Sequence, residues 1–136
     1  MSDSSPVVRF INPPTMPPAR GYSQVAEVTG GKTVYISGQI AVDPAGNPVG
    51  AGDLRAQTQQ VFANLNAALG AVGTDFRSVV KLTFYMLDIS QIQTVREVRD
   101  QFVDTQNPPA SSAVEVRRLV RDDFLIEIDA VAVIPV

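Results

Sequence analysis

The chain contains no cysteine and no histidine. The first absence rules out disulfides, thiolate nucleophiles and cysteine-ligated zinc. The second removes Ser-His-Asp machinery, histidine-bound metals and the usual general base near neutral pH. Proton chemistry therefore falls to Asp, Glu, Tyr, Lys or ordered water, and no metal is expected. Charge is scarce as well: charged residues make up 18% of the chain, the net charge is −3 and the pI is near 4.8. No basic run exceeds Arg117-Arg118. The footprint of a nucleic-acid binder is missing, and no nucleic-acid partner is expected. No apolar run approaches the roughly 20 residues of a membrane span. The amino end, Met1-Ser2-Asp3-Ser4-Ser5-Pro6, lacks the basic and apolar regions of a signal peptide. A soluble cytoplasmic protein with no membrane partner is the expectation.

What is present suffices for a single core: 136 residues, of which 45% are hydrophobic. Residues 1–20, with Asn12-Pro13-Pro14 and Pro17-Pro18, read as an extended N-terminal arm rather than a strand interior, because proline fixes φ and removes a backbone donor. Residues 21–136 read as the one domain. Its first strand is expected near residues 24–28, followed by a tight hairpin at Gly30-Gly31 and a return strand from Lys32 to Ile40. Asp43-Pro44-Ala45-Gly46-Asn47-Pro48 has turn chemistry. Asp53 is placed to cap a helix ending near Val72, with Gly73 beyond it. Leu54, Val61, Phe62, Leu65, Leu69 and Val72 recur at helical spacing as its buried stripe. Val79 to Leu87 alternates as a strand with Val80, Leu82, Phe84 and Met86 on the apolar side. Ser90 is then expected to cap a helix from Gln91 to Val103, with Ile92, Val95, Val98 and Phe102 facing inward.

The last thirty residues organise the rest. They read as two strands, and the second, Leu125 to Ile134, is the most apolar segment of the chain. Alternation puts Ile126, Ile128, Ala130, Ala132 and Ile134 on one face. Glu127 and Asp129 share the other with Leu125, Val131 and Val133. The order β-β-α-β-α-β-β implies an α+β fold, a mixed sheet with two helices on one face. The open face would carry Lys81, Thr83, Tyr85, Glu127, Val131 and Val133. A half-apolar open face usually packs against something, so an oligomer is expected.

By residue chemistry alone, Glu127 and Asp129 are either a solvated strand face or an acid/base site. Tyr22, Tyr35 and Tyr85 read as core or rim residues. Gly30-Gly31 lacks the following helix of a phosphate cradle. Ser37 has no histidine base and reads as a hydrogen-bonding residue. Arg96, Arg99, Arg117 and Arg118 are surface charges by default, any of which could grip an anion bidentately.

Val34-Tyr35-Ile36-Ser37-Gly38-Gln39-Ile40, Gly52-Asp53-Leu54-Arg55-Ala56-Gln57-Thr58 and Asn64-Leu65 resemble the Rid family, the reactive intermediate deaminases also called YjgF. So do Val80-Lys81-Leu82-Thr83, Pro109-Ala110-Ser111-Ser112 and Ile126 to Val133, in consistent order from Gly21 to Pro135. The resemblance implies a chorismate-mutase-like fold and a homotrimer whose sheets face inward as a barrel, with ligands in the clefts between subunits. It also implies hydrolysis of enamines and imines to keto acids and ammonia without a cofactor. In that scheme Glu127 matches the carboxylate that positions water and shuttles protons. Tyr22, Ser37, Gly38 and Ala113 match residues lining the cleft. The deaminating group has arginine where this chain has Ser111, so its clamp on the substrate carboxylate is gone. Arg96 stands where that group often has asparagine approaching the same cleft, and is the candidate replacement. The ligand implied is an imino or keto acid. The alternatives are a non-catalytic trimeric binder of small metabolites and, disfavoured by the acidic composition, an endoribonuclease or translation inhibitor.

Overall fold

The alternation in the final apolar segment makes that segment the middle of the sheet. In the computed structural model, which describes residues 5–136, the strands are β1 (Val7–Ile11), β2 (Val25–Thr29), β3 (Lys32–Gln39), β4 (Val79–Met86), β5 (Ala110–Glu115) and β6 (Ile126–Ile134). The helices are α1 (Leu54–Ala71) and α2 (Ile92–Arg99). The main sheet runs β3-β6-β4-β5, antiparallel at its first two junctions and parallel at β4–β5. With two neighbours, β6 satisfies its backbone on both sides, and its residues at alternate positions, Ile126 to Ala132, are fully buried. They share one core cluster with the inner residues of both helices, so both helices cover the same face. Among the described residues, no helix is long and apolar enough to cross a membrane.

Helix α1 forms where its caps dictate. The Asp53 carboxylate accepts from the Ala56 amide at 3.1 Å. At the far end Gly73 adopts φ +78°, and the Gly73 and Thr74 amides bond back to Gly70 and Leu69. This doubly bonded stop needs a left-handed residue, which glycine supplies without strain. The expected stripe is buried except for Val72, which sits past the last turn and is 41% exposed. Phe62 on that stripe stacks on Phe102 at 5.1 Å between centroids and packs with Phe76 and Phe84.

Four expectations are corrected. The proline-rich arm is not free of strand: Val7–Ile11 pairs antiparallel with β2, and Pro13, Pro14, Pro17 and Pro18 follow it in a loop. The element order is therefore β-β-β-α-β-α-β-β. Gly30 and Gly31 both take positive φ, yet β2 and β3 form no ladder; β2 belongs to a separate two-stranded ribbon and β3 pairs with β6. Turn chemistry fixes local backbone, but strand choice is decided by which partner buries the side chains. Finally, Ser90 is not a helix cap. Asp88 caps a short 3-10 turn by accepting from the Ser90 amide, and α2 starts at Ile92 and ends at Arg99.

The apolar-stripe reading also missed Gln57, which is 1% exposed inside α1. Its Nε2 donates to the carbonyls of Gly50 and Asp123 at 3.0 and 2.9 Å, and its Oε1 accepts from the Leu125 amide at 2.8 Å. One side chain thus ties the loop before α1 to the entry of β6. Gln57→Leu should strip partners from buried backbone groups at about 1–3 kcal/mol each. Urea unfolding is expected to show a lower midpoint with an unchanged slope; an unchanged midpoint would mean that water replaces the amide.

Candidate functional site

Opposed residues on neighbouring strands point to the same face. In β6, β4 and β5, Ile128, Phe84 and Ala113 align, as do Ala130, Leu82 and Ser111, and these face the helices. Glu127, Tyr85 and Val114 align in the rows between, as do Asp129, Thr83 and Ser112, and these face the other way. The candidate residues therefore fall into two groups on opposite sides of one sheet.

On the helix side a cavity of ≈ 370 Å³ opens at the β5 edge, bounded by Tyr22, Arg96, Ser111 and Ala113 together with Arg20 and Arg99. Phe84, Ile92 and Val95 supply apolar wall, and no carboxylate lines it. The segment carrying Arg20 and Tyr22 is held there by Ser23. The Ser23 amide donates to the Pro109 carbonyl at 3.1 Å and its hydroxyl to that of Pro108 at 2.6 Å. The adjoining Gln24 donates to Asn12 Oδ1 and to the Pro17 carbonyl. The arginines arrive from α2, where Arg96 and Arg99 are three apart and share a face. Arg99 was expected at the surface but is only 8% exposed. Its Nε bonds Asp100 Oδ1 at 2.9 Å, while its terminal amino groups have no partner among the described residues. Its guanidinium lies against Gly21, where a Cβ would fall 3.1 Å from Cζ.

On the open side, Glu127 is half-buried and makes no hydrogen bond or ion pair with described residues. It lies against a bulge in β3, where Ser37 and Gly38 together oppose Asp129 and the register shifts between Ile36 and Gln39. A Cβ on Gly38 would lie 2.7 Å from Glu127 Cδ, so only glycine leaves the carboxylate its place. Ser37 is exposed in the bulge. The Tyr85 hydroxyl donates to Asp129 Oδ2 at 3.1 Å. That bond, with the charges of Asp129 and Glu127, raises the Tyr85 pKa above its ordinary value. Tyr35, 80% exposed, and Val114 add apolar surface to this face. Among the described residues no cluster of acidic side chains could hold a metal ion.

The sheet brings Tyr22, Arg96, Ser111 and Ala113 together, and separately Ser37, Gly38 and Glu127. Two strand spacings, about 10 Å, and the thickness of the sheet divide Glu127 from Ser111 within one copy. Sequence reasoning missed Arg20 and the buried role of Arg99. The spacing from Arg96 could have flagged the latter; nothing periodic sets the path of the segment carrying Arg20.

A family profile described as Endoribonuclease L-PSP matches residues 14–134. The human 2-iminobutanoate/2-iminopropanoate deaminase is 38% identical over 131 residues, 96% of this chain and 93% of that protein. Among solved structures, YyfB from Yersinia pestis, a protein of unknown function in the conserved Rid family, has a TM-score of 0.84 at 37% identity, over 93% of this chain and 98% of its own. TdcF from E. coli, solved with bound serine, has a TM-score of 0.67 at 33% identity, over 90% and 92% of the two chains.

The Tyr85–Asp129 bond makes a prediction. Folding raises the phenol's proton affinity, so its contribution to stability is complete below the ordinary phenol value and is lost as pH climbs through the raised one. Ultraviolet titration, taken as the difference from Tyr85→Phe, should place Tyr85 above its ordinary value. Asp129→Asn should bring it down; equal titration in both proteins would remove the bond from the account.

Proposed function

The chain belongs to the Rid (YjgF) family, and from that membership we propose that it hydrolyses reactive enamines and imines to keto compounds and ammonia, in a cleft shared by two copies of a homotrimer. The observation that carries this reading is Glu127: a half-buried carboxylate without a hydrogen-bond or ion-pair partner among the described residues, kept clear by a glycine in a bulge. A carboxylate so placed can accept a proton from water, as a general base must. The cavity carrying Arg96 lies on the opposite face of the same sheet, so one copy cannot present both groups to one small molecule. A second copy can, with its open face laid against the first copy's β5 edge. The apolar surface of Tyr35 and Val114 supports such packing. The chorismate-mutase-like trimer and a cytoplasmic setting are part of this reading, and so is the use of no cofactor.

In the proposed chemistry the substrate's carboxylate rests on Arg96, with the hydroxyls of Ser111 and Tyr22 beside it. Ser37 and backbone groups at Gly38 and Ala113 line the remainder. Water adds to the imine carbon as Glu127 takes its proton, which then passes to nitrogen. The resulting carbinolamine expels ammonia and leaves the carbonyl, so C=NH and water become C=O and ammonia. The human relative's name describes this chemistry for 2-iminobutanoate and 2-iminopropanoate. Ser111 favours one other reading, a binder that kept the cavity and lost the reaction, because a neutral hydroxyl there cannot hold a carboxylate as an arginine does.

Imines generated in situ by a dehydratase separate the two. Keto acid release above the buffer rate is expected, with Glu127→Gln reducing it at least about a hundredfold, the usual scale of one general base. Gly38→Ala should also lower kcat, since its Cβ displaces the carboxylate. Light scattering should give three times the 14.6 kDa chain mass for all three proteins. Release at the buffer rate across several imino acids, with the trimer intact, would leave the binder.

A further inference from the structure

The nine arginines of this chain are treated in two ways. Six form ion pairs: Arg9, Arg55, Arg77, Arg99, Arg118 and Arg121. Among the described residues Arg20, Arg96 and Arg117 form none, and the first two of these line the cavity beside Ser111. The third cation there, Arg99, is paired only through Nε; its terminal amino groups have no partner among the described residues although the side chain is 90% buried. Acidic residues outnumber basic ones, 14 to 11, yet none lines this wall. A largely buried side chain whose terminal amino groups open onto the cavity, beside two arginines outside any such pair, is arranged to receive negative charge.

One carboxylate cannot answer all of it. A monoanion taken by Arg96 in a bidentate grip leaves Arg20 without a counter-charge and the Arg99 amino groups without acceptors. We propose that the cavity selects small organic dianions, so that the natural ligand carries a second acidic group besides the carboxylate next to its imine or keto carbon. Arg96 receives the first group; Arg99 and Arg20 receive the second. A cavity of ≈ 370 Å³ suits one such molecule. The planar guanidinium fork matches carboxylate and phosphate alike, so the second group is defined by its charge. The inference deepens the function proposed above by adding a ligand class to its cavity, and concerns binding alone.

Calorimetry on the full-length protein tests it, with 2-oxobutyrate as monoanion, 2-oxoglutarate as dicarboxylate and phosphoenolpyruvate as phosphorylated acid. At least one dianion is expected to bind roughly tenfold or more tighter than 2-oxobutyrate, the scale of one added charge-assisted pair. Whichever of the two prevails identifies the second group. Arg20→Gln, an exposed position whose loss should not disturb folding, should weaken the dianion more than the monoanion and shrink that ratio. Arg96→Gln should weaken both, and Arg117→Gln, outside the cavity, should leave the ratio as it was. Equal affinity for all three probes, or a ratio insensitive to Arg20→Gln, overturns the proposal. A protein that prefers dianions but hydrolyses no imine sinks the hydrolase reading alone; one that hydrolyses imines without that preference sinks this one alone.

Discussion

A β-strand cannot turn two successive side chains to the same side, and β6 is where that constraint governs the whole protein. Ile126, Ile128, Ala130 and Ala132 must face the helices to build the core. Glu127 and Asp129 are then forced to the other side, whatever else would suit them. Because β6 lies between β3 and β4, the same parity propagates across the sheet through the paired rows. It sets Tyr85 beside Glu127, and it sets Phe84 and Ala113 on the cavity side. A one-residue slip would put both carboxylates into the core, so the burial that stabilises the fold also locks the register. The division of the candidate site into two halves is a consequence of the core, not an addition to it.

The arginine cavity shows how segments far apart in sequence are made to converge. Its floor comes from strands whose positions the ladder fixes. Its basic wall comes from α2, the crossover joining the parallel pair β4 and β5. Its remaining side is a loop with no regular structure, anchored by the two bonds of Ser23 to Pro108 and Pro109. Proline is useful here for a reason other than stiffness. Having no amide proton, Pro108 and Pro109 bring carbonyl acceptors without donors, and Ser23 supplies both donors that these carbonyls need.

How much of this could be read from the residues follows from which forces act locally. Helix α1 was legible to within a residue because its cap, its apolar spacing and its terminal glycine all lie within the segment itself. The inward faces of β6 and of β4 from Leu82 onward were legible because alternation is also local; the register shift between Val79 and Lys81, which puts Val79 rather than Val80 in the core cluster, was not. The pairing of β1 with β2, and of β3 with β6 rather than β2, was not: ladders are chosen by competition among distant segments, and Gly30-Gly31 speaks only for its own backbone. Gln57 escaped notice because a polar residue at a buried helical position makes sense only once its three backbone partners are in place. At the site, the residues named by motif resemblance fall on two opposite faces of the sheet, a division that no motif displays. Arg20 and Arg99 belong to no motif. Their meaning lies in what is missing around them, which a sequence does not display.

The position of the positive charge deserves a physical reading of its own. An arginine at residue 111 would project from an edge strand whose backbone the ladder holds rigid. In this chain the cations stand instead in the last turn of α2 and in the loop opposite. The carboxyl end of a helix carries partial negative charge, worth about 0.3–1 kcal/mol to a nearby cation. That field favours cations at Arg96 and Arg99, of which only Arg99 has an acidic partner among the described residues. It is too weak to satisfy their donors, since a helix end offers charge but few correctly aimed acceptors. Electrostatic tolerance without full hydrogen bonding is the condition a binding site requires: the charge can be held ready, and the bonds are left for whatever enters. Moving the cations from strand to helix also turns the direction from which an anion is pulled, from along the sheet edge to across the cavity. In the trimer proposed above, a ligand drawn that way would present a different side to the neighbouring copy's open face, and so to its Glu127.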